Sequence, residues 1–319
     1  MLKQNVKMIL ISFTIFIFAL FVLIVSSRWT IDSAIAISEY TGISQLAIGF
    51  ILIAFSVSIP DFSVSILATL NGMTPMAIGD ILGSSIANIC LVLGIVTLIK
   101  RVRVERIHTL ESAELLLIIS IIPAVILSKG IAGPFEGLIL LAVFILYCVF
   151  IFKDKFTLEI KDGITKTQWK RAFIYFFLGL SLVITSSHFV ISSAVEIANF
   201  LGVSYAVIGL TLLSFGTTLP ELALDFTAMR KGQSALAIGD ILGSTVVNLT
   251  LILGSVLLLS PVSGVFLASY TIPLAFIIIA NSFLFYSLVK REGINHTEGL
   301  IFILLYITFL IVMLIGRIV

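Results

Sequence analysis

Charge is scarce in this chain. Only 11% of its 319 residues are Asp, Glu, Lys or Arg, about half the ~25% usual in soluble domains. That shortage excludes an ordinary water-soluble domain. Cysteine is rarer still. Cys90 and Cys148 both lie in apolar stretches, which argues against a disulfide framework or a thiolate metal cluster. The three histidines, His108, His188 and His296, are scattered without ligand spacing, so no imidazole metal centre is expected. Neither a nucleophile–base constellation nor a phosphate-cradling loop is present, so an enzyme is not expected. No cofactor and no nucleic-acid partner are expected either.

What the chain has in abundance is apolar length. Hydrophobic residues make up 60% of it, and its mean hydropathy is +1.23. Runs of roughly 20 apolar residues recur, enough to cross a ~30 Å hydrocarbon core as helices. They are continuous rather than alternating, which excludes a membrane β-barrel. We read an all-α polytopic membrane protein with ten transmembrane helices, at about 6–27, 45–70, 75–99, 110–128, 134–152, 171–198, 204–229, 234–260, 268–289 and 297–317. The first run, Met8–Ser27, is long for a signal peptide and lacks a clear cleavage pattern, so it reads as a retained helix. The stretch "RWTIDSAIAISEY" after it continues that helix or lies along the interface.

Basic residues orient the spans. With the N-terminus outside, inside loops hold 15 Lys and Arg and outside loops hold 4. Both termini are therefore expected outside a plasma membrane, and the charged loop "KDKFTLEIKDGITKTQWKR" in the cytoplasm. The expected organisation is a first repeat over 1–152 (spans 1–5), a connecting loop over 153–170 and a second repeat over 171–319 (spans 6–10).

The repeat is written in the residues. "AIGDILGSSIANICLVLG" at 77–94 aligns without gaps on "AIGDILGSTVVNLTLILG" at 237–254, and "ISQLAIGFILIAFSVSIPDFSVS" at 43–65 aligns on "VSYAVIGLTLLSFGTTLPELALD" at 203–225. The offset is 160 throughout. Five spans per half is an odd number, so the halves must enter the membrane in opposite senses. Inverted repeats are a transporter architecture, with the site near the midplane. A duplicated scaffold without transport is the bland alternative. The repeated segments, however, are those carrying membrane-embedded polar groups, which are costly unless functional.

Ser58, Asp61 and Ser65 fall on one helical face beside Pro60. A proline there removes the donor for the Ser56 carbonyl and distorts the turn, leaving carbonyls near Ser56 and Val57 available. Ser214, Thr218, Glu221 and Asp225 repeat the pattern around Pro220, with loosened carbonyls near Gly216 and Thr217. In the next span of each half, Asp80, Ser84 and Asn88, and likewise Asp240, Ser244 and Asn248, are spaced by four and share a face. Gly79, Gly83, Gly239 and Gly243 let backbones approach closely. Carboxylates, hydroxyls, amides and carbonyls without sulfur or imidazole suit a hard cation such as Ca²⁺. Two acids, one per half, neutralise a divalent ion. Without a cation, adjacent carboxylates repel and tend to take up protons, so such a site can exchange Ca²⁺ for Na⁺ or H⁺.

Blander roles exist for several of these residues. Ser65 can bond back to its own helix. Asp80 and Asp240 can be first-turn acids favoured by the helix dipole. Asp225, whose counterpart is Ser65, can sit in a vestibule or a surface pair. Asp61 and Glu221 stand apart, because they occupy equivalent mid-span positions beside equivalent prolines.

At these residues the sequence resembles the calcium/cation antiporter superfamily, especially prokaryotic sodium/calcium exchangers. The two α-repeats are "FSVSIPD…GDILGSSIAN" and "FGTTLPE…GDILGSTVVN". The resemblance implies that Asp61 and Glu221 coordinate Ca²⁺. It places carbonyl ligands on Val57 and Thr217 and hydroxyl ligands on Ser58 and Thr218. It places further Na⁺ ligands on Ser84, Asn88, Ser244 and Asn248, and alternation between outward-open and inward-open states. The chain departs from that pattern with Asp61 for a glutamate, Asn248 for an aspartate found in some sodium exchangers, and Asp80 and Asp240 where asparagine is common. Asp80, Asp240 and Asp225 are candidate entrance acids. The expected activity is Ca²⁺/Na⁺ antiport. Ca²⁺/H⁺ exchange at the same site and a passive cation channel are the alternatives. The expected partners are the ions and membrane lipids, with a monomer sufficient for function.

Overall fold

The structure is a computed structural model that describes residues 2–41, 43–103, 106–155, 166–200, 218–263, 270–291 and 293–315. Within these, helices dominate. In chain order they are α1 (Leu2–Thr41), α2 (Gln45–Val57), α3 (Ile59–Leu70), α4 (Thr74–Ile99), α5 (Arg106–Ser128), α6 (Pro134–Lys155), α7 (Lys166–Phe200), α8 (Leu219–Arg230), α9 (Ser234–Leu259), α10 (Thr271–Arg291) and α11 (His296–Ile315). Among the described residues, eight helices are long and apolar enough to cross a membrane, and α2 with α3 makes a ninth as one bent span. Of the expected seventh span, 204–229, the part before residue 218 lies outside the described residues.

The stretch "RWTIDSAIAISEY" continues the first helix. At 40 residues α1 is about 60 Å long, roughly twice the hydrocarbon thickness. It packs along α7, its counterpart in the other half. At Gly179 an added Cβ would lie 2.5 Å from Thr30 Oγ1. α6 runs to Lys155 and α7 begins at Lys166, so both helices reach into the expected connecting loop, 153–170.

Elements of the two halves exchange partners. The strand β1 (Val102–Arg103), after α4, pairs with β4 (Gly293–Ile294), before α11. The strand β2 (Ile131–Ala132), before α6, pairs with β3 (Val262–Ser263), after α9. Val102 opposes Ile294, and Ala132 opposes Val262. The end of α4 packs on α11 and the end of α9 on α6. An added Cβ on Gly94 would lie 3.0 Å from the Gly299 carbonyl oxygen, and one on Gly137 would lie 2.6 Å from that of Gly254. Glu136 Oε2 accepts the Gly133 N–H at 3.0 Å, and Glu298 Oε2 accepts the Asn295 N–H at 3.0 Å. These are matching caps on the helices that answer to each other.

α4 and α9 lie side by side. Thr74 Oγ1, at the start of α4, donates to Ser260 Oγ, just past the end of α9, at 2.9 Å. At the other end, a Cβ on Gly232 would lie 3.5 Å from Lys100 Nζ. The start of α4 thus sits beside the end of α9, and the reverse. Each is approached through the same turn. Gly72 (φ 77) and Gly232 (φ 78) take the left-handed conformation that closes a helix C-terminus. Met73 N–H bonds the Ala68 carbonyl at 2.8 Å and Gln233 N–H bonds that of Ala228 at 2.9 Å.

Candidate functional site

The site is built from the broken α2–α3 span, the helix α8 and the spans that follow them. The α2–α3 span bends by 40° at Ser58. Pro60 occupies the first turn of α3, where its missing N–H costs nothing to α3 but leaves the Ser56 carbonyl without its usual donor. The backbone bonds that bridge the break are Ser58 N–H to the Ala54 carbonyl, 3.0 Å, and Phe62 N–H to the Ser58 carbonyl, 2.9 Å. The second half repeats the joint. Thr218 (φ −93, ψ 2) matches Ser58 (φ −76, ψ −5), Pro220 lies in the first turn of α8, and Leu222 N–H bonds the Thr218 carbonyl at 3.0 Å. Asp61 and Glu221 are first-turn acids of α3 and α8, where the positive end of the helix dipole favours negative charge.

Close backbone approach seats the second copy of the repeated phrase, whereas an added Cβ on Gly79 or Gly83 in the first copy would meet nothing within 4 Å. At Gly239 an added Cβ would meet the Leu46 carbonyl oxygen at 2.2 Å, and at Gly49 it would meet that of Leu236 at 2.3 Å. Gly243 rests on Phe50 and Ala54. The segment answering to 46–54 in the other half, residues 206–214, lies outside the described residues, as does Thr217.

A feature the sequence reading missed runs through this region. Gly49–Ala54, Ala87–Val92 and Val247–Ile252 are π-helical turns. Such turns commonly occur at functional sites, since the extra residue per turn frees carbonyls and re-aims side chains. Here two of them carry Asn88 and Asn248. The turn bearing Asn88 packs against α8, and the turn bearing Asn248 packs against α3. Each amide is thereby set against the broken helix of the opposite half.

The polar groups are sealed and under-satisfied. Ser58, Ser84, Asn88, Thr218, Glu221, Asp225, Asp240, Ser244 and Asn248 are all buried, and so is Val57. Ser58 Oγ, Ser65 Oγ, both side-chain polar atoms of Asn88, Glu221 Oε2, Asp225 Oδ2, Asp240 Oδ2 and Asn248 Oδ1 have no hydrogen-bond partner. Buried polar groups are normally paired, and these orphans lie on the spans that carry the repeated motifs. Ser65 therefore does not bond back to its own helix. The acids face one another: Glu221 interacts electrostatically with Asp61 and Asp240, and Asp61 with Asp80. Asp225 and Asp240 lie within hydrogen-bonding reach, and Ser244 Oγ donates to Asp240 Oδ1 at 3.2 Å. The ion pair described between Lys231 and Asp32 joins surface groups at the far end of α8.

Two expectations for the acids need correction. Asp80 and Asp240 are not first-turn acids, because α4 and α9 start at Thr74 and Ser234 and have no acid in the first turn. Asp225 is not in a surface pair, since it is 1% exposed, as is Asp240. Asp61 and Asp80 in the first half are partly exposed. Asn281 in α10 was also passed over. It is 1% exposed with both side-chain polar atoms unpartnered, and its only trace in the sequence is a lone amide in an apolar run.

Comparison with known proteins gives the chain a family and a fold. A family profile described as "Sodium/calcium exchanger protein" matches residues 11–153 and 171–315. The putative antiporter CaxA of Alkalimonas amylolytica is 30% identical over 92% of this chain and 96% of its own length. The sodium/calcium exchanger MaX1 of Methanosarcina acetivorans is 25% identical over 96% of this chain and 99% of its own. Among solved structures, the sodium-calcium exchanger NCX_Mj soaked with Na⁺ and Sr²⁺ superposes with a TM-score of 0.83 at 26% identity, covering 93% of this chain and 96% of that one.

Proposed function

The chain belongs to the sodium/calcium exchanger family, and from that premise we propose that it is a secondary antiporter moving Ca²⁺ against Na⁺ by alternating access. The architecture in this reading is ten spans in two inverted five-helix repeats, 1–152 and 171–319, joined by 153–170. Both termini lie outside a plasma membrane, and a monomer surrounded by lipid suffices for transport.

The observation that carries the reading is the Asp61–Glu221 pair. These acids lie in the first turns of α3 and α8 beside equivalent prolines, interact with each other, and have other acids as their electrostatic neighbours. A buried carboxylate facing a second, partly exposed one, with only acids as electrostatic neighbours among the described residues, needs a cation. A divalent ion between them is neutralised, with the Val57 and Thr217 carbonyls, the Ser58 and Thr218 hydroxyls and the amides of Asn88 and Asn248 available to complete an oxygen shell. Ser84 and Ser244 offer further oxygens for monovalent ions. Because both ion types need the same carboxylates, each excludes the other, and exchange becomes obligatory. The partly exposed Asp61 and Asp80, against the sealed Glu221, Asp225 and Asp240, support access from one side at a time. With the orientation above, the open side is the outer one.

The test is radioactive Ca²⁺ uptake into proteoliposomes under an outward Na⁺ gradient and, separately, a pH gradient. The Na⁺ gradient is expected to drive uptake, and Asp61→Asn and Glu221→Gln are each expected to lower it at least about tenfold, the equivalent of losing ~1.4 kcal/mol. Uptake driven by the pH gradient alone moves the assignment to proton exchange. Uptake that needs neither gradient, or survives both substitutions, overturns it.

A further inference from the structure

The two halves are not equivalent around their acids. The position after Glu221 by one helical turn is Asp225, while the same position after Asp61 is Ser65. The second half therefore places two carboxylates face to face, on α8 and α9, where the first half has a serine at the position of Asp225. Asp225 and Asp240 are each 1% exposed. Their carboxyl groups lie within hydrogen-bonding reach of each other. Asp240 Oδ1 accepts from Ser244 Oγ at 3.2 Å, and the Oδ2 atom of each acid has no partner. A separate group points the same way. Glu221, 3% exposed, keeps Oε2 unpartnered and has Asp240 as an electrostatic neighbour.

We propose that Asp225 and Asp240, with the Ser244 hydroxyl, form a second cation site that exists only in the second half and takes a monovalent hard cation of the Na⁺ class. The inference rests on the exchange reading for the central Asp61–Glu221 site. The donor set selects the ion. Carboxylate and hydroxyl oxygens without sulfur or nitrogen favour a hard cation. Two carboxylates and one hydroxyl are the side chains that make up this pair. The pair thus offers too few ligands for Ca²⁺, which takes ~6–8 oxygens. A monovalent ion needs fewer ligands and removes the repulsion between two carboxylates in a low-dielectric interior. Asp225 is also one turn nearer than Glu221 to the end of α8, so an ion here lies between the central site and the Lys231–Gln233 turn.

Equilibrium binding of radioactive Na⁺ and Ca²⁺ to the purified full-length protein in detergent tests the proposal. Asp225→Ser copies the first half, and Asp240→Asn removes the other charge while preserving shape. Each variant is expected to bind one fewer Na⁺ per chain than the parent while still binding Ca²⁺. An unchanged Na⁺ count in both folded variants overturns the second site, whether the pair then holds a proton or nothing. If Asp225→Ser does not purify as a folded species, Asp225→Asn with Asp240→Asn decides. Asp61→Asn separates the two readings. Loss of Ca²⁺ binding there, with an unchanged Na⁺ count in the Asp225 variants, keeps the central site and rejects this one. Retained Ca²⁺ binding in Asp61→Asn, with one Na⁺ lost in the Asp225 variants, does the reverse.

Discussion

Asn88 and Asn248 are buried amides at matching positions of the two repeats. Each is 1% exposed with unpartnered side-chain atoms, and each rides on a π-turn set against the opposite half. Leaving an amide unsatisfied costs ~1–3 kcal/mol, so a group kept in that state is expected to gain a partner when an ion is present. Asn88→Ala and Asn248→Ala are therefore expected to weaken ion binding by roughly tenfold each while leaving the unliganded protein as stable as the parent or more so. Calcium titration paired with thermal unfolding in detergent checks both halves of that expectation. A large drop in melting temperature with unaltered ion affinity contradicts it. The contrast is Asp32, whose ion pair with Lys231 lies at the surface, its carboxylate side chain 62% exposed. Asp32→Asn is expected to change stability by less than about 1 kcal/mol and to leave transport at parental rates.

At the scale of elements, glycine sets how closely the halves meet. The Leu46 carbonyl lies against Gly239 and the Leu236 carbonyl against Gly49. These obstacles are backbone atoms, which cannot rotate aside as a side chain can. Gly239→Ala and Gly49→Ala are each expected to destabilise the protein by ~1–3 kcal/mol through overpacking, read as a lowered unfolding temperature in detergent. Because the two positions share one contact, the double variant is expected to lose less than the sum of the single losses. Pro60 acts differently. Pro60→Ala restores a donor for the Ser56 carbonyl and is expected to lower Ca²⁺ affinity several-fold with little loss of stability, measured by the same titration.

Over the whole molecule, the exchanged strand pairs and the paired glycines describe one arrangement in which each half completes the other. β1 finds its partner in β4 and β2 in β3, so neither half closes its own edges. Orientation in the membrane belongs to this scale too. In a background lacking Cys90 and Cys148, Lys129→Cys is expected to react with a membrane-impermeant maleimide from outside intact cells. Gln233→Cys is expected to react only after permeabilisation. The opposite labelling pattern inverts the topology proposed here.

Length and apolar content alone establish a polytopic helical protein, because a backbone in hydrocarbon must satisfy its own hydrogen bonds. The 160-residue offset establishes the repeat, and Pro60 and Pro220 mark the broken helices beside the two acids. These features are local, and local chemistry is legible in order along the chain. The π-turns were not legible, since an inserted residue in a helix leaves no fixed signature in an apolar run. Nor were the cross-half contacts, which depend on which surfaces meet. "AIGDILGS" shows the difference most plainly: in the first copy Asp80 stays partly exposed, while in the second Asp240 is sealed against Asp225. The eight residues are identical in both copies, so their own chemistry cannot separate them. Only the tertiary structure decides, by packing α8 with its Asp225 against the second copy.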